Sequence, residues 1–422
     1  MSSPVSAANR PWAVRFLPLA SLALPCAAHA DEYFTLDVSG GASVTTNSGS
    51  TSHNSPVGVT ASASPAYTSE GETYVYRLSG FGSVTQYMDG SDMDNAGSFA
   101  FDGEKRLSTR TTIEGRASYG YRKEQNGGRS SLENASPDLP AIGLDSGTSF
   151  SLDEQPLLAD FDPTLIGRTV KVSTLQGALA YKRILSQRAS LNVSIDGASI
   201  DYDQPDYQDT RTLRLSSQYN IQKSERLEWL VASRFERYSQ DRAFYGQGVV
   251  PSRTIDVAIA NFGIVTKLRS TSELRIMAGP TLVRHNGKTA PAKTSIDFTL
   301  DASICNSGKN DSICAFANRE QAPTAIGGVR LTNSGGLFYQ KMFGKNDILA
   351  LSGRIDRRSA DRDALVSATT GAGFSARLTR ELRRTIRGYI SAGFDSVWTD
   401  GAARRDNISL SVGITKKFGR NQ

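Results

Sequence analysis

Histidine and cysteine are almost missing from this chain, with three of each in 422 residues. Removing the first thirty residues leaves only His53, His285, Cys305 and Cys314. A serine hydrolase needs a histidine held beside a serine or an acid. His53 falls in a loop and His285 near a strand end, neither in an alternating strand with a serine at working distance. Two thiols and a distant His285 are too few for a metal centre, and no CxxC spacing marks a redox pair. Gly287-Lys288-Thr289 has the ending of a phosphate loop, but Leu282 stands where its first glycine belongs. The expectation is a protein that is not an enzyme and carries no cofactor and no metal. The net charge of +6 falls to +4 without Arg10 and Arg15, too small to imply nucleic acid as a partner.

Long apolar runs are missing too. The longest, Phe16–Leu24 (FLPLASLAL), is about half of the roughly twenty residues that a spanning helix requires. It follows the basic Arg10 and Arg15 and precedes Ala28-His29-Ala30, the order of a secretory signal peptide cleaved after Ala30. Cys26 suggests a lipoprotein site, yet Ala23-Leu24-Pro25 before it fits that pattern poorly. Residues 1–30 therefore read as a cleaved signal for Sec-dependent export, and 31–422 as a single mature unit. If that unit sits in a membrane it must be a closed β-barrel, because only helices and closed barrels satisfy every backbone group in lipid.

What is present is alternation. Leu213, Leu215, Tyr219 and Ile221 alternate with Arg214, Ser216, Gln218 and Asn220; Leu227, Trp229, Val231 and Phe235 alternate with Glu228, Arg234 and Glu236. A period of two puts each set on one face of a sheet. Basic turns punctuate the runs about every forty residues, as in FDGEKRLSTRTT (Phe101–Thr112), NIQKSERL (Asn220–Leu227) and ARLTRELRR (Ala376–Arg384). The fold class expected is all-β: a transmembrane antiparallel barrel of about sixteen strands, with fourteen to eighteen allowed. Short periplasmic turns and longer extracellular loops would join them. A soluble exported β-sandwich or adhesin shows the same alternation with its faces reversed, and remains the alternative. The final run, Ile408, Leu410, Val412, Ile414 and then Phe418, ends on an aromatic, as terminal barrel strands do.

The turn-and-strand unit YKRILSQRASLNVSIDG (Tyr181–Gly197) resembles the β-barrel porin-2 group of Gram-negative outer-membrane proteins. The resemblance implies a barrel in the cell outer membrane, working as a porin-like channel or transport pore. Some members of that group accompany exopolysaccharide export, so an export component is the second functional reading. Partners would be outer-membrane lipid and lipopolysaccharide, the barrel-assembly machinery and, in the second reading, polysaccharide-export proteins. Oligomeric state is left open.

Function should reside in the interior and the loops. The predicted pore-lining face offers Arg110, Glu114, Arg116, Arg214, Arg234, Glu236, Arg275, Arg354 and Arg387. The longest connection, about residues 123–168, carries Asp153, Glu154, Asp160 and Asp162. Folded inward, this loop would set acids against basic wall residues and select solutes by charge. Left outside, it would be solvated, and the wall arginines would pair with Glu114, Glu228, Glu236, Glu273 and Asp356. Cys305 and Cys314, an even pair in an oxidising compartment, predict a disulfide pinning a second long loop, about 284–323. Its ring is small, so the loop-entropy model gives it roughly 2–3 kcal/mol.

Overall fold

The computed structural model describes residues 31–47, 57–88, 93–124, 170–245, 248–287, 293–324, 328–344, 346–359, 367–400 and 404–419. Twenty strands follow in order. The first nine are β1 (Asp31–Asn47), β2 (Val57–Gly71), β3 (Tyr74–Tyr87), β4 (Asp94–Ser108), β5 (Thr111–Glu124), β6 (Val170–Ser186), β7 (Ala189–Tyr202), β8 (Thr210–Gln222) and β9 (Leu227–Gln240). A small ribbon of β10 (Ala243–Tyr245) and β11 (Gly248–Val250) stands apart in the next connection. Then come β12 (Arg253–Arg269), β13 (Ser272–Gly287), β14 (Lys293–Ser307), β15 (Asp311–Thr324), β16 (Gly328–Phe343), β17 (Asp347–Arg358), β18 (Thr369–Arg383), β19 (Ile386–Thr399) and β20 (Arg405–Gly419).

Eighteen of these form one sheet in which each strand pairs antiparallel with its neighbours in sequence, β9 pairing with β12. The sheet closes because β1 also pairs with β20, from Thr35–Gly419 to Asn47–Asn407. Following the register once around returns to β1 about 22 residues further on, which tilts the strands by about 40° and makes the backbone cylinder roughly 35 Å across. A bore of that width is not filled by wall side chains alone. One sheet closed on itself also replaces the two packed sheets of the sandwich alternative.

Burial tells the two faces apart. On β20, Ile408, Leu410, Val412 and Ile414 are 49–55% exposed, while Asn407, Ser409 and Thr415 are buried. On β9, Trp229, Val231 and Phe235 are exposed, while Glu236, Tyr238 and Gln240 are buried. Large apolar side chains thus cover the outside and polar ones the inside, the pattern of a transmembrane barrel with a wet lumen. At the closing seam Gly41 and Gly413 face each other across β1 and β20. They make room for the inward ring of Tyr389, since a Cβ on Gly413 would lie 2.6 Å from that ring.

The eighteen strands stand at the upper end of the expected fourteen to eighteen, and the two beyond sixteen are local. The stretch expected as a loop, about 284–323, is mostly the β14–β15 hairpin. Cys305 and Cys314 are joined directly across it, on its inward face, beside the short turn Gly308–Asn310. They therefore tie two strands at the short-turn end and do not pin a long loop.

Closure can be tested chemically. Val38 and Lys416 are cross-strand partners at the β1–β20 seam. Cysteines placed at both, in the protein refolded into vesicles, are expected to crosslink on oxidation within one chain, as read by peptide mapping. Two thiols that stay freely alkylatable would argue for an open sheet.

Candidate functional site

One hairpin leaves the wall. Pairing between β14 and β15 ends at Leu300–Arg319, although β15 continues to Thr324. Beyond that point β15 pairs only with β16, so residues 320–324 and 328–330 form a projecting tip. Side-chain contacts give its direction. Arg319 and Gln321, on the outward parity of β15, reach Asp297 on the inward face of β14, Arg319 at 2.8 Å. Val329, also of outward parity, is buried in an apolar cluster with Tyr238, Ile255, Val257, Ile259 and Val283, which face inward from β9, β12 and β13. The back of the tip therefore lies on the inner wall, and the hairpin occupies part of the lumen.

A line of charge on the neighbouring strands of that wall meets it. Arg214 on β8 lies between Asp196 on β7 (3.8 Å) and Glu236 on β9 (2.6 Å). Arg234 then bridges from Glu236 (3.1 Å) to Glu320 on the hairpin (3.8 Å). Along the sheet β9 and β15 are four strands apart, so the Arg234–Glu320 contact is made inside the barrel, by a tip folded over the inner face of the intervening strands. Glu236 is 0% exposed, and the Tyr238 hydroxyl also donates to it. A carboxylate so far from water stays ionised only if its partners replace hydration, and two guanidiniums with a phenol do so. Two arginines among three carboxylates leave the line nearly balanced in charge. The hairpin is held at a second place, where Arg330 donates to the Ser367 carbonyl at 2.6 Å.

Of the residues expected to line the pore, eight face the interior. Arg214, Arg234 and Glu236 come together in this network. Arg116 pairs with Asp102 at 2.7 Å, and Glu114 with Lys182 at 2.6 Å. Arg354 pairs with Asp356 at 2.7 Å, Arg275 donates to the sulfur of Met277 at 3.2 Å, and Arg387 lies on the inward parity of β19. Arg110 is a correction: it sits in the tight turn between β4 and β5, where the register shifts after Arg106, and lines nothing. Asp153, Glu154, Asp160 and Asp162 lie outside the described residues. Sequence reasoning missed Asp196, Tyr238, Glu320 and Val329. The available signal was Pro323 followed by Gly327-Gly328, a turn cue with Glu320 just before it, where the expected loop of about 284–323 gave way to the next strand.

A closed antiparallel sheet with an apolar exterior and a charged interior defines a transmembrane β-barrel. No protein-family model matches the sequence, and no curated protein matches it. Solved structures with a similar fold include the outer membrane protein OpdK from Pseudomonas aeruginosa, 10% identical, TM-score 0.46, covering 91% of this chain and 99% of that one. OpdL from the same organism is 9% identical at TM-score 0.47, covering 92% and 99%. The ferric-catecholate import receptor Fiu from E. coli K12 is 10% identical at 0.46, covering 92% and 82%. Likenesses this distant carry nothing about what passes through.

Glu236 offers a direct test. Glu236→Gln removes the charge that Arg214 and Arg234 share, leaving two guanidiniums partly uncompensated. Stability should fall by about 3 kcal/mol, measured by urea unfolding in lipid vesicles. A change within a few tenths of that unit would show the network to be hydrated.

Proposed function

We propose that this chain is an outer-membrane transport barrel, a porin-like channel whose bore is set by the tip of the β15–β16 hairpin. The observation that carries the reading is the Arg234–Glu320 contact, which ties the hairpin to the inner face of β9, four strands around the wall, and holds it inside the lumen. A barrel about 35 Å across needs such an insert to discriminate among solutes. The acidic loop at 123–168, expected from the sequence to narrow the pore, lies largely outside the described residues, and the hairpin tip is a separate candidate for that role. The signal at residues 1–30 supports export, and the long connections would then face outward, with the short turns in the periplasm. The porin-2 resemblance of Tyr181–Gly197 supports the same reading.

The test is single-channel conductance in a planar bilayer, comparing the natural sequence with Val329→Asp. An aspartate in the apolar seat of Val329 would bury a carboxylate without a partner, costing several kcal/mol, so the tip should leave the wall. Expected are small, salt-dependent steps for the natural protein and steps several-fold larger for the variant. Silence from both, in protein shown to be folded and inserted, would overturn the channel reading in favour of an export barrel opened by a partner.

A further inference from the structure

The short-turn rim has a composition that transport does not explain. Four of the short turns set exposed apolar side chains among cations: Leu107 beside Lys105 and Arg106, Ile184 and Leu185 beside Arg183, Leu268 between Lys267 and Arg269, Leu382 beside Arg383. These lie far apart in sequence, and the antiparallel register collects them at one end of the barrel. Among the described residues, Arg106, Arg183, Arg188, Arg226, Arg269 and Arg383 enter no ion pair. The β2–β3 turn, with Glu70 and Glu72, is acidic, and Glu225, Asp311 and Asp347 add single acids at other turns. At the opposite end charge is mixed: Asp201, Asp203, Asp206 and Asp209 crowd the β7–β8 connection, while Arg242, Arg253, Arg357 and Arg404 stand at others. Burial and the carboxylates of Asp201 and Asp241 hold Asp209 above its ordinary pKa.

The cations also sit at the perimeter. The Lys223 ammonium lies 4.6 Å from the Trp229 ring, Lys341 lies 5.1 Å from Phe343, and Lys416 lies 4.7 Å from Phe418. Trp229, Phe343 and Phe418 are exposed, and Trp229 and Phe418 share the outward parity of their strands' apolar residues. Aromatic rings and snorkelling lysines in that arrangement mark the interface between hydrocarbon and headgroups. A protein docking over the mouth would meet none of these perimeter groups.

We infer that the short-turn rim binds anionic phospholipid headgroups. Leucines and aromatics enter the interfacial layer, and the unpaired arginines and lysines reach the phosphates of the surrounding leaflet. This rests on the barrel spanning a bilayer. Its consequence is orientation and anchorage: the basic end belongs in the leaflet rich in negative phospholipid.

Two tryptophans serve as reporters, Trp229 near the turn end and Trp398 near the loop end, where Arg404 is neutralised by Asp406 at 2.7 Å. Protein lacking residues 1–30 and carrying either Trp398→Phe or Trp229→Phe is refolded into vesicles with brominated phosphatidylglycerol or brominated phosphatidylcholine. Trp229 should be quenched about twofold more by the anionic lipid, and the excess should vanish near 1 M salt, where the screening length is roughly 3 Å. It should vanish likewise in Arg188→Gln/Arg226→Gln/Arg269→Gln, while Trp398 shows no preference. Equal quenching of Trp229 by both lipids, in protein whose unheated electrophoretic mobility proves insertion, would overturn the inference. Failure to insert into either vesicle would instead overturn the membrane-spanning reading beneath it.

Discussion

Everything in this structure depends on the pairing of β1 with β20. A strand in hydrocarbon cannot leave its N–H and C=O groups to water, so an edge anywhere in the sheet would cost several kcal/mol per unpaired group. The seam removes the edge, running over thirteen residue pairs from Thr35–Gly419 to Asn47–Asn407. Once the sheet is closed, inside and outside exist, and the two-residue period assigns every side chain to one of them. Isoleucine, leucine and valine on β20 go to the lipid, and its asparagine, serine and threonine go to the lumen. The hydrophobic effect here acts outward, with the bilayer in the place of a protein core.

The interior then has its own problem, which is charge. Arginines and carboxylates that could not face lipid are gathered inside, and water reaches them unequally. Where side chains stay wet, as in Arg116–Asp102, the ion pair is half exposed on both sides and contributes little. Where the hairpin covers the wall, Glu236 is shut away and its partners become obligatory. One element thus changes the meaning of residues it barely touches: by narrowing the lumen it turns a row of solvated charges into a buried network.

Alternation made the barrel legible, and its limits explain what was not. Each face of β7, β8 and β9 can be read directly from the residue order. The β14–β15 hairpin alternates just as well, with Ile296, Phe298, Leu300 and Ile304 outward and Asp297, Thr299 and Asp301 inward. The stretch was nonetheless expected as a loop, with its two cysteines as the disulfide pinning it. Arg110 was misplaced by the tightness of the β4–β5 turn, which takes it out of the ladder. The inward tip is a different kind of miss. Glu320 and Val329 keep the ordinary parity of their strands; what changes is that β14 stops pairing at Leu300. Loss of a neighbour is a non-local event: Pro323 and Gly327-Gly328 signal a turn, but nothing within residues 320–331 records that β14 has stopped pairing.

The two departures from a plain barrel are linked by sequence order. Cys305–Cys314 ties β14 to β15 at the turn end, while the same two strands part at the loop end above Leu300–Arg319. A pair that must separate at one end benefits from a covalent tie at the other, because the crosslink holds the register that the shortened ladder holds less well. By the loop-entropy estimate such a tie adds roughly 2–3 kcal/mol, comparable to the ladder hydrogen bonds that the parting forgoes at about 1 kcal/mol each. The disulfide is therefore best understood together with the hairpin: it stabilises the wall where the wall has released a strand into the lumen.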